Sequence, residues 1–361
     1  MANFRIATLD ETERGAQSPV PKRRGAAHNP AGFRGEEQRM KLPRDVRPAT
    51  ATIRSRVVLE IAAELVGRRD QPCKQAKVLL RPPNGEKWEL GLFGSATVEG
   101  IDAVVRGESD LAITNPAASL SLAFRGTGCF SAPQPVRAIA VIPSEDQCML
   151  GVRADYGITT IEEIGEKRLP LKLSLRGQAD HWLQPMFDDM LAAAGFSLAD
   201  LEGWGGSVTR EGVLPYWHGP RFADFKSGRF DAIFDESVGN WCNEAPAAGM
   251  RALGMREPTL ARLERMGYRR AWLRRAQFPN LPEDVVTLDF SGWPIFVHAD
   301  AEDDLVCQIC EALEARAALI PWQSEGPLPV ARMAKDAADT PQLVPLHPAA
   351  ERHWRARGYL P

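Results

Sequence analysis

The 361-residue chain lacks the short motifs that would assign it a reaction at once. No GxxxxGK[ST] phosphate loop, no GxGxxG after a predicted strand, no HExxH and no GxSxG occurs, which excludes the usual signatures of nucleotide, zinc-protease and hydrolase sites. No apolar run approaches the ~20 residues of a membrane-spanning helix, so we predict no membrane insertion. A net charge of −3 without a basic stripe excludes a nucleic-acid surface.

Cysteine is also scarce, with six residues scattered along the chain. This spacing excludes a disulfide scaffold of the secreted type. Cys307 and Cys310 form a CxxC, but they lie within the amphipathic pattern predicted as a helix over Asp303–Ala318. One CxxC without a second ligand pair is weak evidence for a metal, and we interpret it as one packed helix face. We therefore predict no metal and no cofactor.

What the chain does contain is a regular alternation of predicted strands and helices. An opening strand at Asn3–Leu9 and a helix at Ser55–Val66 are separated by an insertion at residues 10–50. That insertion is much longer than the ~2–6 residues of an ordinary βα connection, and it is interpreted either as a lid or as disordered. Further strands are predicted at Ala76–Leu80, Asp110–Thr114, Val136–Ile142, Cys148–Val152, Leu171–Leu175, Phe230–Phe234 and Ile295–His298, with helices at Thr97–Arg106, Ala117–Phe124 and Asp180–Ala194.

This alternation, with two crossovers, predicts an α/β fold of two doubly wound sheets with a ligand cleft and a hinge between them. Residues 1–150 and 256–361 are assigned to lobe 1, and residues 151–255 to lobe 2.

The stretch from Gly94 to Phe130 has the pattern of a cleft wall. Gly94 and Ser95 precede the predicted helix at Thr97, where free backbone N–H groups and the positive end of the helix dipole can hold a carboxylate. Asn115 follows the next strand and is a donor to the same site. We predict that Gly94, Ser95 and Asn115 bind ligand.

The pattern GS…GE.DLA…RGTG.F in that stretch resembles the TAXI-type solute receptors of tripartite (TRAP) transporters. Asp155–Ile164, Phe230–Ser237 and Pro345–Trp354 are similar to further segments of that family. The resemblance implies the type II periplasmic-binding-protein fold and a bound solute. Residues 1–25 contain no apolar segment typical of a secretory signal, so we expect a cytoplasmic protein; the location is periplasmic if the resemblance to exported receptors prevails.

A loop after the strand at Leu171–Leu175 carries Arg176, Gln178 and His181. Doubly wound folds bind ligands where such loops meet, and an arginine fork suits a carboxylate. We predict that these three residues contact the ligand, the alternative being a solvated surface loop.

Asp235 and Glu236 end another predicted strand, and Trp293 lies in a predicted loop. The acidic pair could bind a ligand amine, act as a general base with a shifted pKa, or be a charged loop. Trp293 could pack on a planar ligand or anchor its own loop. All three are included in the predicted site.

Two functions remain open. The first is a receptor-like protein that binds a small anionic organic molecule, carboxylated and possibly aromatic, between its lobes. The second is a cytoplasmic enzyme on the same fold, such as a decarboxylase or other lyase, with His181, Asp235 and Glu236 as its catalytic residues. Turnover and oligomeric state are left open.

Overall fold

The structure, a computed structural model, describes residues 50–67, 75–81, 89–95 and 97–361. By its internal contacts the chain divides into two units, residues 1–58 and 59–361. The described part of the first unit is the beginning of the first helix, and both large sheets lie in the second unit. The predicted strand Asn3–Leu9 and, apart from residue 50, the predicted insertion at residues 10–50 lie outside the described residues.

Strands and helices alternate along the described chain. The strands are β1 (Ala76–Leu80), β2 (Leu90–Gly94), β3 (Leu111–Ile113), β4 (Val136–Ile142), β5 (Met149–Arg153), β6 (Lys172–Leu175), β7 (Ser207–Arg210), β8 (Ala232–Asp235), β9 (Met250–Ala252), β10 (Arg270–Leu273), β11 (Val285–Leu288) and β12 (Trp293–His298). The helices are α1 (Thr50–Gly67), α2 (Glu99–Val105), α3 (Ala117–Arg125), α4 (Glu162–Lys167), α5 (Leu183–Ala194), α6 (Leu198–Gly203), α7 (Pro220–Ser227), α8 (Glu257–Met266), α9 (Asp303–Arg316), α10 (Val330–Met333) and α11 (Pro348–Ala356).

Two five-stranded mixed sheets organise the second unit, and they confirm the predicted two-lobed α/β class. The sheet of lobe 1 has the order β1-β2-β3-β12-β4, and the sheet of lobe 2 has the order β7-β6-β8-β5-β9. Each contains a parallel part, β2 with β3 in lobe 1 and β7, β6 and β8 in lobe 2. Each also contains an antiparallel inner strand, β12 or β5, which is the first strand after the chain crosses between the lobes.

The two connections between the lobes run side by side as an antiparallel pair. Cys148 N donates to Leu288 O at 3.0 Å, and Gly292 N donates to Ser144 O at 2.8 Å. The hydroxyl of Ser291 bonds both the backbone nitrogen and the backbone oxygen of the facing residue 146, each at 3.0 Å. We call residues 143–148 and 289–292 the hinge, because every path between the two sheets passes through this paired ribbon.

The elements between β9 and the hinge pack with lobe 2. Leu260 and Leu263 of α8 belong to the same buried cluster as strands β5, β6 and β8, and Leu273 of β10 packs with Ile233 on the other face of that sheet. The predicted lobe limits at residues 150 and 255 stay a prediction, and this packing favours a later return to lobe 1.

The beginning of α2 differs from the sequence prediction. The helix expected from Thr97 starts at Glu99, with Val98 at its N-cap, and Gly94 is the last residue of β2. Ser95 Oγ accepts the backbone N–H of Thr97 at 3.1 Å, and Thr97 Oγ1 accepts that of Glu99 at 3.3 Å. These hydroxyls form successive tight turns that hold the chain out of the helix until Glu99.

Candidate functional site

The carboxyl ends of the parallel strands in lobe 2 bring four predicted site residues together. Arg176 follows β6, Asp235 is the last residue of β8, and Glu236 comes next. Because β6 and β8 are parallel, these residues lie at one edge of the sheet. Arg176 Nη2 donates to both carboxylates, to Glu236 Oε1 at 2.5 Å, and Arg176 Nη1 lies 3.0 Å from His181 Nε2.

A second arginine completes this cluster from α7. Arg221 Nη1 donates to Asp235 Oδ2 at 2.5 Å, and Arg221 also binds the hydroxyl and the carbonyl of Ser174 at 3.0 and 3.1 Å. The Asp235 side chain is fully buried, and the arginine side chains are 8% and 3% exposed. Asp235 is therefore held between two buried guanidinium groups, and Arg176 already has carboxylate partners within the protein.

The hinge joins the cluster through Asp146. Its Oδ2 accepts the backbone N–H of Ser237 at 2.8 Å, while the hydroxyl of Ser237 donates to Glu236 Oε2 at 2.5 Å. Ser237 has φ 55°, in the left-handed region of backbone conformation that residues other than glycine rarely adopt. The carboxyl groups of Asp146 and Glu236 are thus held against one another, with Ser237 bound to both.

The environment shifts the pKa values of these two acids in opposite directions. Burial, followed by the contact with Glu236, raises the pKa of Asp146 well above its usual range. Burial also acts to raise the pKa of Glu236, but hydrogen bonds from Asp146 and Ser237 and the charge of Arg176 outweigh it, so that pKa is lowered. Of the two carboxyl groups, Asp146 is therefore the one that keeps its proton to the higher pH.

Four buried polar atoms near the hinge have no hydrogen-bond partner in the described part of the chain: Arg176 Nε, Trp182 Nε1, Asn115 Oδ1 and Gln147 Oε1. Gln147 lies in the hinge itself, and the other three residues belong to segments linked to its second strand, Arg176 through its contact with His181. For Trp182, the neighbouring His181 ring stacks on Phe290 with centroids 6.0 Å apart. For Gln147, the residue pairs with Asp289 in the hinge. For Asn115, the backbone N–H of residue 117, two positions further on, donates to Ser291 O. A buried group without a partner costs about 1–3 kcal/mol, so these four atoms are candidates for contact with a bound molecule. Six further unpartnered atoms in the described chain belong to Ser109, Ser121, Thr160, Glu162, Asp339 and Gln342.

The structure does not bring the remaining predicted residues into the arginine cluster. Ser95, buried after β2, has its hydroxyl 2.8 Å from that of Thr97, and no described contact joins Gly94 or Ser95 to Arg176. Gln178 stays beside the site, since its carbonyl accepts from Gln184 at 3.3 Å. Trp293 begins β12 rather than lying in a loop, and it packs against the core of lobe 1.

Sequence reasoning missed Asp146, Gln147, Trp182 and Arg221. A signal existed for Arg221, which lies four residues before Phe225 and so shares the apolar face of α7; an arginine there indicates a buried ion pair. Another existed for Asp146, because the polar run from Ser144 to Gln147 separates two buried strands. Trp182 had no such signal, because only the fold shows which buried indole lacks a partner.

No cluster of His, Cys, Asp and Glu side chains in the described ranges could hold a metal ion. Cys307 and Cys310 lie on α9, where Cys310 is buried in the core of lobe 1. No helix in the part of the chain that the structure describes is both long and apolar enough to cross a bilayer.

Comparison with known proteins gives slight structural likenesses. No family model matches the chain, and no curated protein matches it. The chain is similar to the substrate-binding protein of an amino acid ABC transporter, at 13% identity and TM-score 0.26, with 60% of this chain and 69% of that one covered. It is also similar to a periplasmic transporter (15% identity, TM-score 0.31, 73% and 79% covered) and to the periplasmic binding protein BugD (14%, 0.33, 61% and 68%).

Proposed function

We propose that this protein binds a small carboxylated organic molecule between its two lobes, in the manner of a solute receptor. The observation that carries the proposal is that four unpartnered buried atoms belong to the hinge or to segments in contact with it. Two of them, Arg176 Nε and Trp182 Nε1, are donors only, and one belongs to a cation. A carboxylate oxygen is the acceptor that satisfies such a pair best.

The other two atoms define the rest of the ligand. Asn115 Oδ1 and Gln147 Oε1 are acceptors, so they favour a ligand that also carries a hydroxyl or amine hydrogen. Asn115 follows β3 of lobe 1, whereas Arg176 and Trp182 belong to lobe 2. A ligand that binds all of them links the two lobes, which is how hinge closure traps a solute. The TAXI-type relationship and the cytoplasmic location accompany this proposal as predictions.

Arg176 is already paired with carboxylates of the protein, so only part of its guanidinium group is left to bind a ligand. Asp235 and Glu236 occupy its Nη2, so the ligand carboxylate meets the Nε side of a guanidinium whose charge is largely balanced. The two arginines face the carboxylates of Asp235 and Glu236, so the charges of these four side chains balance within the cluster. Recognition then depends on directed hydrogen bonds more than on net charge.

The direct test is the mass spectrum of small molecules released when freshly purified protein is denatured. A carboxylic acid recovered in near-stoichiometric amount supports the proposal. If only buffer components are recovered, and a panel of small hydroxy and amino acids gives no shift in melting temperature, the proposal is wrong.

Two tryptophans provide a matched pair of variants for the site. Trp182→Phe removes an N–H without a partner in the described chain, whereas Trp354→Phe removes one that donates to Ile139 O at 2.8 Å in lobe 1. We expect Trp182→Phe to weaken binding of the recovered acid roughly ten- to hundred-fold. Trp354→Phe should lower stability by about 1–3 kcal/mol and leave affinity unchanged. Equal affinities for the two variants would remove Trp182 from the site.

The alternative of an enzyme is favoured by one observation, the opposite pKa shifts of Asp146 and Glu236. Carboxyl pairs separated in this way can supply an acid and a base. The two functions are distinguished by incubating the recovered acid with the protein and following its mass. An unchanged mass over many hours favours the receptor, whereas a product that Asp146→Asn no longer forms favours the enzyme.

A further inference from the structure

The loop that follows β7 carries aromatic side chains at the edge of lobe 2 where Arg176 lies. β7 is parallel to β6, so residues 211–219 leave their strand at the same edge as Arg176. The indole of Trp217 is 53% exposed, and the His218 ring stands edge-on to it at 5.1 Å between centroids. This large, partly exposed ring therefore belongs to a loop at the same edge of the sheet as the proposed binding site.

Two contacts hold this loop to the arginine cluster. Arg221 Nη1, which donates to Asp235, also donates to Val213 O at 2.8 Å. The backbone N–H of Trp217 donates at 3.1 Å to the carbonyl of Asn240, which lies in the loop that begins at Glu236. The loop is thus attached at Val213 to an arginine of the cluster and at Trp217 to the segment that follows Glu236.

Trp272 shows what an exposed indole looks like when the protein itself covers it. Trp272 lies on β10 and is 37% exposed, and the guanidinium of Arg274 stacks on its ring at 4.5 Å from the centroid. Within the described residues, no lysine or arginine stacks on Trp217. Trp217 therefore has no cation on its ring, and apart from the edge contact with His218 its exposed surface is accessible to a ligand; a flat ring is the group that an indole face contacts best.

We propose that Trp217 is a specificity-determining residue that stacks on the ring of an aromatic carboxylate whose acid group lies at Arg176 and Trp182. This inference rests on the proposed function and narrows it to planar ring acids. A saturated ring of the same size places fewer atoms in contact with the indole, so Trp217 selects the planar acid over the puckered one.

The test uses two acids that differ only in the flatness of the ring, 4-hydroxybenzoate and trans-4-hydroxycyclohexanecarboxylate, with affinities measured by calorimetry. The unsubstituted protein should prefer the aromatic acid. Trp217→Ala should weaken binding of the aromatic acid about ten-fold and of the saturated acid less than about two-fold. Trp272→Ala, the matched exposed indole, should change neither affinity.

The inference is overturned if Trp217→Ala weakens both acids equally, if Trp272→Ala has the same effect, or if the unsubstituted protein binds neither acid. Its failure can be told apart from failure of the proposed function. Loss of affinity in Trp182→Phe but not in Trp217→Ala leaves the site in place and removes only the stacking role. A non-aromatic acid released from the purified protein would do the same.

Discussion

Replacing Asp146 by asparagine should make the protein more stable at neutral pH. The Asp146 carboxyl faces that of Glu236, and burial together with this contact raises the pKa of Asp146 well above its usual range. In the unfolded chain an aspartate has a pKa of about 3.9. Between that value and the raised pKa, the folded protein holds a proton that the unfolded chain has released. The folded state binds more protons, so its stability falls as the pH rises through this window.

The size of the effect follows from the same linkage. Each pH unit above about 3.9 costs the folded state about 1.4 kcal/mol until the raised pKa is reached. Asparagine does not titrate, its Oδ1 can still accept from Gln147 N and Val238 N as Oδ1 of Asp146 does, and its amide takes the place of Oδ2, where it can donate to Glu236 but loses the bond from Ser237 N. We expect a gain of about 0.5–2 kcal/mol at pH 7 that disappears near pH 4.

The assay is urea unfolding of both proteins at pH 4, 5, 6, 7 and 8. Asp300→Asn is the control, because that side chain is 91% exposed. It should shift stability by less than about 0.5 kcal/mol at every pH. The reasoning would be refuted if Asp146→Asn were less stable than the unsubstituted protein at pH 7, or if its gain in stability were the same at every pH.

Two further predictions concern stability alone. Asp235→Ala leaves the guanidinium groups of Arg176 and Arg221 without their shared carboxylate, so urea unfolding should show a loss of about 3–5 kcal/mol; a loss below about 1 kcal/mol would show that water reaches the cluster. Gly126→Ala should lower the free energy of unfolding clearly more than Gly195→Ala. Both glycines have positive φ (69° and 96°), so the backbone strain is shared. An added Cβ at Gly126 would also lie 2.2 Å from a backbone nitrogen, whereas nothing lies within 4 Å of one at Gly195. Equal melting temperatures for the two alanine variants would contradict this.

The sequence predicts best those strands and helices whose own hydrophobic pattern is enough to identify them. The strands at Ala76–Leu80 and Val136–Ile142 have the predicted limits, because each is mostly apolar, with one basic residue near its start, and is bounded by polar or proline residues. The strand Leu90–Gly94 was missed, since two glycines in five residues weaken any strand pattern. It forms because the neighbouring strands supply its hydrogen bonds, which is tertiary information.

Some residues of the candidate site could also be predicted from the sequence, and others could not. Arg176, Asp235 and Glu236 could be found because parallel strands end at a common edge, so polar residues that follow them meet in any α/β sheet. Asp146 and Arg221 reach the cluster from the hinge and from a helix, at distances along the chain that no local pattern encodes. That Arg176 is already paired with carboxylates also depends on these long-range contacts.

The hinge and the candidate site are built from the same short segments, and this couples them. Residues 146 and 147 lie on the first hinge strand, where the carboxyl of Asp146 binds the backbone of Ser237 in lobe 2 and Gln147 presents an unpartnered oxygen. Phe290 and Ser291 lie on the second strand, and one stacks on His181 of lobe 2 while the other bonds the start of α3 in lobe 1. A ligand that bonds Gln147 and Arg176 therefore contacts one hinge strand and lobe 2 at once. Because a ligand shifts an equilibrium only as far as it binds one state more tightly, a ligand that makes these contacts in one arrangement of the lobes alone would favour that arrangement.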